Sequence, residues 1–142
     1  MDNVVFVRFP HKITNEGGYQ RLTRINRVSE IIAQAGFPYL DLERMGDEIV
    51  LDYWYDFYNP DHLNIYGQMK VTEYLTDWIM TEYGLTLRPQ TDENRAQWEK
   101  SVEYMDAFYE LASERIEEQK TREMYEKFDV MDKLEDKLLA WQ

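Results

Sequence analysis

Two histidines stand in the 142 residues, and one of them, His62, lies in a stretch dense with groups that handle protons. The stretch runs Asp56-Phe57-Tyr58-Asn59-Pro60-Asp61-His62-Leu63-Asn64-Ile65-Tyr66-Gly67. An imidazole with a carboxylate or amide beside it has the makings of a general base. The partner holds one ring nitrogen, and the other takes a proton from a hydroxyl. Three partners lie near in sequence. Asn59, three residues back, can hold the ring but cannot offset an imidazolium charge. Asp61 is adjacent and should point away. Asp56, six residues back, can return across a turn at Asn59-Pro60 and is the favoured partner. Asn64 stands where a helix should begin and can meet its free backbone N–H groups. Tyr58 and Asp61 complete the candidate binding residues, among aromatics that suit either an acyl or carbohydrate pocket or the filling between sheet and helix. By spacing alone, a histidine here also suits capping or packing.

The elements that must position this stretch can be read on either side of it. Asn3 to Phe9, apolar and closed by Pro10, predicts a strand buried on both faces. His11 to Gly18 reads as a loop, with His11 a loop residue rather than a catalyst. From Tyr19, residues Leu22, Ile25, Val28, Ile32 and Ala35 recur at helical spacing, and Gly36 stops them. Pro38 to Leu42 predicts a second short strand. Strand, helix and strand make a βαβ unit, so the strands should be parallel with a right-handed crossover. The aperiodic segment from Glu43 to Asp61 then falls beyond the carboxyl end of the second strand, where open α/β sheets bind ligands. A helix is expected from about Ile65 to Tyr83, with Val71, Leu75, Trp78 and Ile79 on one face and Gly84 ending it.

Residues 91–142 hold 15 acidic and 8 basic side chains. An apolar stripe runs Trp98, Val102, Met105, Tyr109, Ala112, Ile116 and resumes at Met124, Phe128, Met131, Leu134, Leu138 and Trp141. That pattern predicts either a helical hairpin or one long helix packing on a partner. The expected division is therefore an α/β part at 1–90 and an acidic helical extension at 91–142. The formal charge of −12 argues against nucleic acid as a partner and against docking on an anionic membrane. No apolar run is long enough to predict membrane insertion. With no Cys and two His, neither a disulfide nor a His/Cys metal site is expected, and no cofactor is predicted. A carboxylate metal site from Asp52, Asp56 and Asp61 has the spacing of no known loop.

The block Asp-Phe-Tyr-Asn-x-x-His-Leu-Asn-x-x-Gly-x-x-Lys-x-Thr from Asp56 to Thr72, followed by Glu73-Tyr74-Leu75, resembles the last conserved block of the SGNH (GDSL-like) hydrolase superfamily. It is most similar to cell-surface branches such as alginate O-acetyltransferase-like and D-alanyl-lipoteichoic-acid-biosynthesis proteins. The resemblance covers roughly residues 3–98. It implies a partial three-layer α/β/α fold, flavodoxin-like, with a short parallel sheet. It also implies His62 as catalytic base and an acylated carbohydrate as substrate. The sequence departs from the family at two places. Asn59 stands where the family usually has Asp, and no Gly-Asp-Ser turn is present. Ser29, Ser101 and Ser113 all fall on expected helices. The chain therefore resembles the carboxyl-terminal half of such a domain, inactive alone. Two strands leave open sheet edges, so self-association, or a chain supplying further strands, is expected. The alternative is a non-catalytic, acidic interaction module. Lack of Cys and the resemblance suit a bacterial cell exterior, yet the start Met1-Asp2-Asn3-Val4 lacks the basic residues of a signal peptide.

Overall fold

A run of β-branched and aromatic residues cut short by proline has room for a brief strand only. In the computed structural model it is β1, Phe6–Arg8, and it pairs in parallel with β2, Tyr39–Asp41. The register sets Phe6 against Tyr39, Val7 against Leu40 and Arg8 against Asp41. The structure describes residues 4–86, 88–89 and 91–139, with side chains as far as Glu123. The chain divides into two compact units, residues 1–87 and 88–142.

Between the parallel strands lies α1, Glu16–Gln34. It begins earlier than the sequence suggests. Asn15 is extended and its side chain accepts from Gly18 N, so the Gly17-Gly18 pair enters the first helical turn rather than a loop. Gly36, at φ +75°, ends it in the left-handed conformation that favours glycine. No residue of α1 is fully buried, and Val28 of its apolar set, like the neighbouring Ile31, is more than half exposed. The expectation that β1 is covered on both faces is likewise corrected. Val4 and Phe6 are exposed, at 37% and 39%, and the ring of Phe6 meets that of Phe37 edge-on, centroids 5.6 Å apart. The other face carries the core. There Leu40, Leu42, Ile49 and Val71 pack with Val7, Leu63, Leu75 and Trp78.

After β2 come a single 3-10 turn, Leu42–Arg44, and a short helix α2, Gly46–Ile49. The segment expected to be irregular then forms a hairpin of β3, Phe57–Asn59, and β4, His62–Leu63, antiparallel with an irregular register. Its strands are too short to show any alternation in sequence. Next is α3, Ile65–Glu82, capped by Asn64 and followed by Gly84 at φ +57°. The architecture is thus mixed α/β and mainly helical, with one parallel and one antiparallel pair of short strands.

The second unit is α4, a single 48-residue helix, Asp92–Leu139, which decides between the hairpin and the long helix in favour of the latter. At 1.5 Å per residue it is about 70 Å long. On its expected stripe Trp98, Val102 and Met105 are exposed, and Tyr109, Ala112 and Ile116 are half-buried. The side chains of Met124, Phe128, Met131, Leu134 and Leu138, and all of Trp141, lie outside the described residues.

Candidate functional site

The turn Asn59-Pro60-Asp61-His62 joins β3 to β4 and sets His62 at the surface. Asn59 Oδ1 accepts from the backbone N–H of Asp61 at 2.9 Å, so that oxygen is fixed as an acceptor. His62 Nδ1 lies 2.9 Å from the same oxygen and must be the donor. The ring is therefore held as the Nδ1–H tautomer, with the lone pair on Nε2. That is the form a general base needs. Asn59 supplies the orientation and no compensating charge.

Asp56, the partner favoured from sequence, lies elsewhere. It is completely buried, and its Oδ2 accepts from Lys70 Nζ and from the Asp52 backbone N–H, both at 2.7 Å. The reason is local geometry. Asp52 Oδ1 accepts from the N–H groups of Trp54 and Tyr55, an Asx turn that folds residues 52–56 back on themselves. That fold turns the Asp56 carboxylate toward α3, where Lys70 also reaches the carbonyl of Val50 at 3.0 Å. Asp56 thus anchors the start of β3 rather than the imidazole.

Asp61 pairs with Arg21 of α1. The hydrogen bond from the Arg21 guanidinium holds its carboxyl below the usual carboxylate range, with smaller help from the charges of Arg21, His11 and His62. Asn64, nearly buried, caps α3 by accepting from Tyr66 N at 3.0 Å and Gly67 N at 3.3 Å, and its amide donates to the Tyr55 carbonyl. Such a cap contributes about 1 kcal/mol. Tyr58 is exposed. The remaining aromatics mostly pair with one another. Tyr53 stacks on Phe57 at 5.5 Å, and Tyr55 meets Tyr66 at 5.2 Å. Of the six candidate residues, then, Asn59, Asp61 and His62 share one turn, Asn64 follows it as cap, Asp56 turns to Lys70, and Tyr58 is exposed on β3.

Two of the serines bond along their own helices. Ser29 Oγ donates to the Asn26 carbonyl and Ser101 Oγ to the Gln97 carbonyl, each along its own helix. Among the described residues no cluster of three or more His, Asp or Glu could hold a metal ion, and no helix is long and apolar enough to cross a membrane.

A second histidine pair escaped the sequence. His11 Nδ1 and its backbone N–H both lie 3.0 Å from Glu43 Oε2. Glu43 is nearly buried, and Arg8 NH2 approaches the same oxygen at 3.5 Å. His11 follows β1 by three residues and Glu43 follows β2 by two, so the parallel pairing itself brings them together. The loop of His11 is also tied to the His62 turn, because Lys12 N donates to the Pro60 carbonyl at 2.8 Å. Set against known proteins, the chain matches no family model, no curated protein and no solved structure.

Proposed function

We propose that this chain is the carboxyl-terminal portion of an SGNH-type serine esterase or O-acyltransferase, with His62 as its base. The observation that carries the proposal is the Asn59–His62 hydrogen bond, which fixes the Nδ1–H tautomer from the position three residues before the histidine. In such an enzyme Nε2 takes the proton of an attacking serine hydroxyl and later returns it to the leaving oxygen. The serine and the oxyanion donors would come from a block that this sequence does not hold. The parallel pair β1–β2 would be two strands of a larger flavodoxin-like sheet, and the exposed Val4 and Phe6 would lie under a further layer. An acylated carbohydrate is the substrate class that the resemblance suggests.

The isolated chain is expected to leave p-nitrophenyl acetate unhydrolysed beyond the rate shown by His62→Ala. Turnover that disappears in His62→Ala would show that the chain carries its own nucleophile. An in-frame Gly-Asp-Ser block in the coding DNA upstream of Met1 would support the proposal directly; a stop codon directly before Met1 would leave it needing a separate chain for the serine.

A second reading, a non-catalytic acidic module that self-associates, is favoured by α4, which exposes Trp98, Tyr104 and Leu111 among its acids. Both readings require β1–β2 to be completed, since each strand pairs on one side only among the described residues. Light scattering coupled to size-exclusion chromatography should accordingly give a mass above the 17.2 kDa of one chain. Phe6→Lys should lower that mass. A well-folded native monomer would refute the need for added strands.

A further inference from the structure

We propose that the cleft beside His11 is a binding site for a small organic oxyanion, a carboxylate or a phosphate ester with an apolar body. The cleft measures about 520 Å³, within the usual span of small-molecule sites. It lies beyond the carboxyl ends of β1 and β2, the end of a parallel sheet at which ligands collect. His62 does not line it, so the proposal stands apart from the esterase reading.

The class of ligand follows from which polar groups are already used. Most acceptors are engaged, Glu43 Oε1 being the exception. Glu43 Oε2 carries His11 and Arg8, and Asn26 Oδ1 takes Arg8 NH1 at 3.1 Å and Arg44 NH2 at 3.4 Å. The donors are not. Lys12 Nζ has no hydrogen bond or ion pair among the described residues, nor has the Tyr53 hydroxyl. Arg44, mostly exposed, spends only Nε on Asp41 and NH2 on Asn26. Burial, with the charges of Glu43 and Asp47, pushes the Tyr53 hydroxyl above its ordinary range, so it stays a donor. His11 Nε2 and the Tyr53 hydroxyl can play either part. The spare donors, two of them on cations, outnumber the spare carboxylate oxygen, so the pocket favours a ligand that chiefly accepts, and charge-assisted bonds from Lys and Arg favour an anion. Ile13, Leu22 and the Tyr53 ring supply the apolar wall.

His11 reports on occupancy, because the chain has only two histidines and His62→Ala assigns both ring signals. Benzoate, phenyl phosphate and benzyl alcohol are titrated into the full chain while the Hε1 resonances are followed. One of the two anions should move the His11 signal saturably, with a Kd of about 1 mM or below, while His62 barely shifts. The tighter anion identifies carboxylate or phosphate as the favoured group. Lys12→Ala and Arg44→Ala, both outside the core, should each weaken binding roughly tenfold with an unchanged circular dichroism spectrum. The proposal fails if neither anion saturates His11 by about 10 mM. It fails equally if benzyl alcohol binds as well as benzoate, or if both variants bind as tightly as the native chain.

Discussion

Lys70→Met is expected to destabilise the first unit by about 3 kcal/mol, the cost of leaving a buried carboxylate without its counter-charge. Asp56 is fully buried, and Lys70, at 2.7 Å, is the only cation on it among the described residues. Its Oδ1 has no hydrogen bond of its own, and besides Lys70 only the Asp52 backbone N–H, among the described residues, donates to the carboxylate. In a unit of this size that loss lowers the thermal midpoint by roughly 10–20 °C. The partner test is the double variant Asp56→Asn/Lys70→Met, which removes both charges and should recover at least half of the loss. A single variant that melts with the native protein would mean that the pair is solvated in solution. Because Asp56 immediately precedes β3, the same variant should loosen the turn that aims His62, visible as broadening of its ring signals.

Gly67→Ala carries the next largest effect. A Cβ at this position would press on the Asp56 carbonyl oxygen, 2.8 Å from Leu63 Cδ2 and 3.0 Å from Asp56 Cβ. The oxygen belongs to backbone that already accepts from Asn64 N at 2.9 Å, so it cannot move without releasing the cap of α3. Alanine gains about 1 kcal/mol in helix propensity over glycine. Overpacking against backbone costs about 3 kcal/mol, and the net expectation is a loss of about 2 kcal/mol. Gly46→Ala serves as the comparison, since its Cβ would meet chiefly the mobile end of Tyr53. Urea midpoints separate the cases. A Gly67→Ala protein as stable as the native one would mean that α3 and the β3–β4 hairpin sit further apart than described.

What the sequence made legible was periodic. The spacing of Val71, Leu75 and Trp78 foretold α3, and Gly36 and Gly84 marked ends that the structure places in left-handed backbone. The parallel pairing of β1 with β2 followed from strand, helix and strand in order. The β3–β4 hairpin was not legible, because three- and two-residue strands carry no alternation. The sequence favours Asp56 as partner of His62 through a return across the Asn59-Pro60 turn. The true partner of Asp56, Lys70, is fourteen residues away and one helix later, a distance that only the folded Asx turn explains. The His11–Glu43 pair was invisible for a similar reason. Thirty-two residues separate them, and only the register of two parallel strands sets their following loops side by side.

Position 59 carries an amide rather than an acid. A carboxylate in its place would lose its grip on the ring once acid neutralised it, and the histidine would swing. An amide has no proton to gain in that range, and Nδ1–H persists whether or not Nε2 is also protonated. The imidazole of this protein is accordingly aimed in the same direction in acidic surroundings as in neutral ones.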